Sequence, residues 1–277
     1  MNKKFSVAMS VYKNDNPVHF DRALYSITTN QSIKPDEIVL IVDGPISEEL
    51  DLIIKKYQQL YDIFNIIRFE TNLGLGTALK VAVENSSNEL IARMDSDDVA
   101  VHDRFEQQLK FFEENTDTDI IGGNITEFID REDNIVGTRA VPDMENDIKE
   151  YIKKRCPFNH MTVMYKKTAV LKAGGYIDLF WDEDYYLWIR MLINGCNMAN
   201  TGTILVNVRT GEDMYKRRGG KKYFQSELFL QKYLLKNKII SFPRYLINVY
   251  ERLILQVLMP NKLRGWVFKK FARQKYA

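Results

Sequence analysis

Over its first 115 residues the chain alternates between short β-branched runs and longer amphipathic stretches, and this alternation limits the possible folds more than any other feature. Strands are predicted at 5–12, 37–43, 63–70 and 89–94, and helices at 17–31, 47–60, 76–85 and 103–114. Pro17 suits the first turn of its helix, and Ser47 suits an N-cap. The pattern predicts a parallel sheet covered by helices, with its ligand outside the carboxyl ends of the strands.

After residue 119 the predicted elements are mixed. Apolar runs lie at 120–129 and 135–141, followed by a helix at 145–154, a strand at 161–165, a helix from Asp182 and a strand at 198–208. The predicted fold class is α/β, with a Rossmann-like mixed sheet that carries helices on both faces.

Charge divides the chain near Tyr215. Residues 216–277 hold sixteen Lys or Arg and two Asp or Glu, a net charge of +14, whereas residues 1–215 carry −12. We therefore predict a domain at 1–215, with halves at 1–115 and 116–215, and a basic helical extension at 216–277. The split predicts an anionic partner for the extension, either a nucleic acid or an anionic membrane surface.

One stretch of the extension, residues 245–258, is amphipathic. Its apolar arc is expected either to lie on an anionic bilayer or to pack on the first domain. The arc comprises Leu246, Ile247, Val249, Tyr250, Leu253, Ile254, Val257 and Leu258, opposite Arg244, Asn248, Glu251, Arg252 and Gln256.

Other features of the chain bear on its compartment. No apolar run reaches the roughly 18 residues of a membrane span, and the N-terminal run is too short for a signal peptide. Two cysteines, Cys156 and Cys196, predict free thiols in a reducing compartment. A cytoplasmic location is expected.

An acidic motif directly follows the fourth predicted strand, with the sequence Arg93, Met94, Asp95, Ser96, Asp97 and Asp98. Residues two apart in extended chain point the same way, so Asp95 and Asp97 can direct their carboxylates to one point. Such a pair suits Mg²⁺ or Mn²⁺, with substrate phosphates at the remaining positions. The alternative is an acidic turn that caps the helix at Asp103.

Three further polar residues, Tyr12, Asp43 and Asn72, follow predicted strands. Asp43 precedes a Gly-Pro turn and either accepts a hydrogen bond from a nucleobase imide or serves only the turn. Asn72 opens the segment 72–80, which lacks the third glycine of a dinucleotide fingerprint, and no P-loop occurs. This disfavours redox-cofactor and ATPase functions and favours a helix start beside a nucleotide.

Carboxylates also cluster at the helix predicted from Asp182, where Glu183 and Asp184 follow directly. They either stabilise the helix through its dipole or provide a general base for a sugar hydroxyl. His160, beside a predicted strand, is either structural or a substrate contact.

In order and spacing these motifs resemble family 2 glycosyltransferases of the GT-A fold. The resemblance covers about residues 5–210 and rests on segments 10–12, 43–44, 72–76, 95–98, 174–176 and 183–188. Segments 159–162 and 183–188 are similar to those of bacterial amylovoran and O-antigen glycosyltransferases. The Gln-x-x-Arg-Trp motif of processive members is absent, which implies one sugar added per encounter.

The resemblance implies an inverting transfer of a hexose, glucose or galactose, from a UDP-sugar, with Mn²⁺ or Mg²⁺ as cofactor. The implied acceptor is a saccharide on undecaprenyl diphosphate, and the transferred hexose would form a β-1,3 bond to its N-acetylhexosamine. The implied location is the inner face of the bacterial plasma membrane. Carried over by motif, Asp184 is the base, Asp43 binds uracil, and Asp95 and Asp97 hold the ribose, metal and diphosphate. Donor-site candidates are Tyr12, Asn72 and Arg93; acceptor-side candidates are His160, Glu183 and Trp188; candidates for the diphosphate are Arg217 and Arg218.

Two other functions fit parts of the sequence. A sugar-nucleotide nucleotidyltransferase also uses carboxylates and a metal, but its Gly-rich basic loop is missing because residues 10–17 contain no glycine. A nucleic-acid-binding protein would use the basic extension. The acidic first part would repel the same polyanion, so no nucleic-acid partner is expected.

Overall fold

The computed structural model describes residues 3–211 and 219–260. The strands in these ranges are β1 (Phe5–Val11), β2 (Glu37–Val42), β3 (Phe64–Arg68), β4 (Leu90–Met94), β5 (Val99–Ala100), β6 (Ile120–Phe128), β7 (Ile135–Arg139), β8 (Met164–Lys166) and β9 (Met198–Arg209). The α-helices are α1 (Pro17–Ile27), α2 (Glu48–Leu60), α3 (Leu75–Asn85), α4 (Arg104–Glu114), α5 (Glu145–Tyr151), α6 (Lys167–Lys172), α7 (Glu183–Ile193), α8 (Lys221–Lys236) and α9 (Phe242–Arg252). A 3₁₀ turn at His160–Thr162 precedes β8, and a π-helical stretch at Leu253–Leu258 continues α9.

The described strands form one mixed sheet in the order β3-β2-β1-β4-β8-β6-β9-β5, with β7 paired to β6. Strands β1 to β4 are parallel, as the alternation predicts. The second half mixes directions, because β8 runs antiparallel to β4 and β6 while β9 runs parallel to β6. The short strand β5, which the sequence did not predict, pairs antiparallel with β9.

Helices cover both faces of the sheet, as predicted. On one face Phe5, Val7 and Met9 of β1 pack with Phe20 and Phe105. On the other face Ala8 packs with residues of α3 and α7. Strands buried on both faces need apolar residues on both, which explains the continuous hydrophobic runs of β1 and β2. The caps also form as predicted, since Pro17 begins α1 and the Ser47 side chain accepts from the Leu50 amide.

The extension packs on the first part of the chain through apolar residues of α8 and the following turn, Leu230, Leu234 and Ile240, and through polar groups of α9. The Asn248 side chain donates to the Lys153 carbonyl (2.8 Å) and to the Gln231 side chain (2.7 Å). Arg252 donates to the Glu227 carboxylate (2.5 Å) and to the Lys154 carbonyl (2.8 Å). The expectation that the apolar arc packs on the first domain is therefore wrong. None of its eight residues is buried, whereas Asn248, Arg252 and Gln256 are.

The ion pair between Arg252 and Glu227 predicts a specific effect on stability. Its side chains are only 11% and 10% exposed, so Arg252→Leu leaves a buried carboxylate without its partner. We expect the free energy of unfolding to fall by about 3–5 kcal/mol, as measured by urea denaturation followed by circular dichroism. The double variant E227L/R252L removes both charges and is expected to recover most of the loss. A double variant as unstable as the single one would show that the two charges are not coupled.

Two further features bear on the compartment. No helix in the described ranges is long and apolar enough to cross a membrane. Cys156 and Cys196 are both free thiols, as predicted.

Candidate active site

The carboxyl ends of β2 and β3 hold a loop that joins two of the predicted site residues. The buried Asp43 carboxylate accepts from the Asn72 side chain (2.8 Å) and from the amides of Leu73 (2.7 Å) and Gly74 (3.0 Å). A carboxylate offers about four lone-pair sites, so most of its accepting capacity fixes this turn. A groove lined by Gly44, Pro45, Arg68 and Phe69 lies at the same strand ends.

Gly44 is required by this loop. Its φ of +86° lies in the left-handed region, and a Cβ would stand 2.7 Å from the Asn72 amide nitrogen. We expect Gly44→Ala to lower the free energy of unfolding by about 1–3 kcal/mol from backbone strain, and by more from displacement of Asn72. Gly195→Ala is the matched control, since Gly195 has a φ of +77° with no atom near its Cβ position. Urea denaturation and UDP titration of both variants would test this, and equal losses would show that the Asn72 contact contributes nothing.

The acidic motif divides into outward and inward carboxylates. Arg93 is buried in β4, and its Nη2 lies 2.5 Å from the Asp95 Oδ1. Asp97 is exposed at the end of the sheet. Asp98 is buried and accepts from the Arg209 amide in β9 (2.9 Å). The acidic turn is thus tied to β9, and the Asp103 side chain makes no cap hydrogen bond to α4.

Asp15, which the sequence analysis did not identify, joins this cluster. Its carboxylate accepts from the Tyr12 amide (3.0 Å) and from the Ser96 hydroxyl (2.9 Å). Enclosure by protein raises the pKa of Asp15 to about 6, with a contribution from Asp95. Asp15 lies in a polar loop without periodicity. Only its position three residues after the exposed Tyr12 could have pointed to it.

The donor atoms of this cluster fit a divalent cation. Partial desolvation by the surrounding protein, together with the charges of Asp95 and Asp15, raises the pKa of Asp97 to about 6. Such mutual repulsion between carboxylates is relieved by a bound cation, and oxygen ligands suit Mg²⁺ or Mn²⁺. In the described ranges no three His, Cys, Asp or Glu side chains are grouped to hold a metal. Asp95 and Asp97 would therefore need substrate oxygens or water to complete the shell.

A second group of carboxylates lies at the start of α7. Asp184 accepts from the Tyr185 amide (2.6 Å) and from the Cys156 thiol (3.5 Å). Burial raises the pKa of Asp184, although these two bonds and the charge of Arg93 oppose the rise. Burial, together with the charge of Asp184, raises the pKa of Glu183 to about 7. Both groups would thus ionise nearer neutral pH than ordinary carboxyls, as a general base requires.

Arg93 connects the two carboxylate groups. Its positive charge lowers the pKa of Asp97 in the acidic motif and those of Glu183 and Asp184 on α7. The electrostatic influence of one buried guanidinium thus extends to the motif after β4 and to the start of α7. The side-chain atoms Nε and Nη1 of Arg93 are buried without a protein partner.

Two of the predicted acceptor-side residues, His160 and Trp188, contact each other in the structure. The His160 ring nitrogen lies 2.9 Å from the Tyr176 hydroxyl, and burial, aided by Arg93, lowers the pKa of His160 well below its usual value. Trp188 is completely buried, packed edge-on against Phe158 and His160. The expectation that Trp188 faces an acceptor is wrong, because its side of α7 faces the core. Arg217 and Arg218 lie outside the described residues.

Comparisons with known proteins find glycosyltransferases that are similar to this chain over nearly its whole length. The chain is 36% identical over 271 residues to an Escherichia coli protein, the UDP-Gal:alpha-D-GlcNAc-diphosphoundecaprenol beta-1,3-galactosyltransferase, covering 98% of this chain and 97% of that one. It is 35% identical to the amylovoran biosynthesis glycosyltransferase AmsE of Erwinia amylovora, covering 96% of this chain and 98% of that one.

Solved structures share the fold. The S. aureus protein TarS in complex with UDP-GlcNAc superposes with a TM-score of 0.65 at 17% identity, covering 91% of this chain and 72% of that one. The mannosyltransferase PcManGT from Pyrobaculum calidifontis, in complex with GDP-Man and Mn²⁺, gives a TM-score of 0.63 at 12% identity, covering 95% of this chain and 72% of that one.

Fold and relatives together define a glycosyltransferase with the GT-A fold, as the resemblance implied. The model of the family named Glycosyl transferase family 2 matches residues 6–180. The chain belongs to this family.

Proposed function

We propose that this protein transfers a single hexose from a UDP-sugar to a saccharide carried on undecaprenyl diphosphate, with inversion at the anomeric carbon. The observation that supports the proposal is that the buried Arg93, which is ion-paired with Asp95, acts electrostatically both on Asp97 of the acidic motif and on Asp184 of α7. In this proposal the donor-binding carboxylates and the base belong to one site. The name of the Escherichia coli relative supports galactose as the sugar and a β-1,3 bond to N-acetylglucosamine.

In this proposal several residues of the chain have separate roles in a single displacement reaction at the anomeric carbon. Asp184 removes the proton from the acceptor hydroxyl as that oxygen attacks the anomeric carbon, so no covalent intermediate is needed. Arg93 fixes the orientation of Asp95 by their ion pair. Asp43 holds the turn at Asn72 against the uracil, and Tyr12 is exposed at the end of the neighbouring strand β1.

A divalent cation held by Asp95 and Asp97 would neutralise charge on the departing diphosphate. Glu183, more buried than Asp184, supports the base by its charge. His160, neutral at physiological pH because of its lowered pKa, is available as a hydrogen-bond partner on the acceptor side. The enzyme would act at the inner face of the bacterial plasma membrane, where a lipid-linked acceptor is found.

A panel of donors tests the proposal. UDP-galactose, UDP-glucose and their N-acetyl counterparts are incubated with Mn²⁺, the protein and a synthetic N-acetylglucosaminyl-diphosphate-lipid, and UDP release and product mass are followed. We expect UDP-galactose to give a mass gain of one hexose, with a β-linkage by NMR. Repeated addition, an α-linked product or the absence of any product with all four donors would contradict the proposal.

A further inference from the structure

Helix α9 and its π-helical continuation bury polar side chains against the protein and expose apolar side chains. Their buried side chains are polar, namely Asn248, Arg252 and Gln256. Their most exposed side chains are mainly apolar, and we call them the outer face: Phe242, Leu246, Ile247, Tyr250 and Leu258, each between 48% and 66% exposed. A helix that packs on a water-soluble domain normally presents the opposite arrangement.

The polar contacts beneath α9 fix this orientation. Asn248 bridges the Lys153 carbonyl and the Gln231 side chain, and Arg252 pairs with Glu227 and the Lys154 carbonyl. Rotating the helix to bury its apolar arc would break these bonds and leave the buried Glu227 carboxylate unpaired, at a cost well above that of a surface ion pair. The outer face is therefore held outward by specific interactions.

Basic residues lie in the elements next to the outer face. Lys232 and Lys236 are exposed on α8 and Lys238 is exposed in the turn before α9, and Arg244 in the first turn of α9 is half-buried, whereas Glu251 is the acidic residue of α9. The whole segment 216–277 carries +14. A second copy of the chain seated on this face would bring the same charge against it, whereas an anionic bilayer would attract it.

We propose that the outer face lies in the plane of an anionic bilayer, with its apolar side chains in the boundary between headgroups and acyl chains and the flanking lysines and arginines at the lipid phosphates. The proposal identifies the surface at which the proposed sugar transfer would take place. Its biological purpose rests on the proposed function, but the membrane binding itself does not. The buried contacts of Arg252 and Asn248 then hold the active-site domain against the membrane that carries the acceptor.

Co-sedimentation of the full-length protein with vesicles tests the proposal. The vesicles contain phosphatidylglycerol and phosphatidylethanolamine, with phosphatidylcholine vesicles for comparison. We expect the wild type to bind the anionic vesicles, and L246Q/I247Q/Y250Q to bind them at least about tenfold less tightly, because three apolar side chains no longer enter the acyl-chain boundary. The control L52Q/L60Q removes two leucines of α2 that are 55% and 60% exposed and is expected to bind like the wild type.

Further measurements separate the possible occupants of the outer face. Hydroxyl-radical labelling of Phe242 and Tyr250 is expected in the lipid-free protein and is expected to fall on addition of vesicles. Protection of Phe242 and Tyr250 from labelling in the absence of lipid would show that another part of the chain or a second copy of it covers the outer face. Light scattering that finds a dimer for the wild type but not for the triple variant would identify the second copy as the cover. Either result, or wild-type binding by the triple variant, would overturn the proposal.

The test is independent of catalysis. Circular dichroism establishes that the triple variant is folded, which we expect because its three altered side chains are exposed. Transfer to an acceptor with a short, water-soluble lipid is expected to be unchanged in this variant. Normal vesicle binding without any sugar transfer would reject the proposed function alone, and normal transfer without vesicle binding would reject the membrane surface alone.

Discussion

Asp184→Asn is expected to lower the turnover number of sugar transfer by about 10²–10⁴-fold, the usual contribution of a general base, while UDP binds with nearly unchanged affinity. The amide keeps the size of the side chain, and its one carbonyl oxygen can still accept from the Tyr185 amide, whereas the bond that the second carboxylate oxygen accepts from the Cys156 thiol is lost. It cannot take a proton from the acceptor hydroxyl. Stopped assays of UDP release and calorimetric titration with UDP measure the two quantities separately.

Glu183→Gln is the matched control for this variant. Glu183 is the next residue along α7, and burial and the charge of Asp184 raise its pKa to about 7. We expect a loss of less than about tenfold, because its side chain acts on Asp184 only through charge. A greater loss for Glu183→Gln than for Asp184→Asn would assign the base to Glu183. Parallel loss of UDP binding in Asp184→Asn would place Asp184 in the donor site instead.

The pH profile gives a second readout of the base. A base must be deprotonated, so activity falls as the pH drops through its pKa. Because burial raises the pKa of Asp184 above its usual value, the acid limb of kcat/KM is expected at a higher pH than for an ordinary aspartate. In Asp184→Asn this limb is expected to disappear from the residual activity.

Periodicity predicted the first half of the fold because local pattern and tertiary structure agree there. Strands β1 to β4 and helices α1 to α4 lie within a few residues of their predicted positions. The strand predicted at 161–165 is instead a 3₁₀ turn followed by β8 at Met164–Lys166. Strand β5 has only two residues and exists because it pairs with β9, about a hundred residues later in the sequence.

The candidate site, like the second half of the fold, could be predicted only in part, because its contacts join residues that are distant in the sequence. Asp43 and Asn72 were identified separately from their strand ends, and only the fold brings them into contact. Asp15 carried no signal beyond its spacing from Tyr12, because its contact with Ser96 depends on the fold. A helical wheel divided residues 245–258 correctly into two faces, but it could not say which face points inward, since that depends on Glu227, Gln231 and the carbonyls of Lys153 and Lys154.

Asp97→Asn is expected to remove most of the gain in UDP affinity that Mn²⁺ provides. Asp97 is the most exposed carboxylate of the motif, and its pKa of about 6 reflects partial desolvation by the surrounding protein together with the charges of Asp95 and Asp15. Asparagine removes the negative charge that would draw a cation to this point. The loss of one such charged contact amounts to about 1.5–3 kcal/mol, or about ten- to a hundredfold in affinity. Calorimetric titration of UDP with and without Mn²⁺ gives the ratio directly, without any turnover.

Asp98→Asn makes the same chemical change one residue along and serves as the control. Asp98 is buried and one of its oxygens accepts from the Arg209 amide, so its carboxylate is less accessible to a cation than that of Asp97. The ratio of UDP affinities with and without Mn²⁺ is expected to stay at the wild-type value in this variant. Asp95 is unsuitable for this comparison, because its removal would also leave Arg93 buried without its ion-pair partner. If Asp97→Asn retains the wild-type ratio while Asp98→Asn loses it, Asp98 and not Asp97 holds the cation, and the assignment of the metal ligand to Asp97 is wrong.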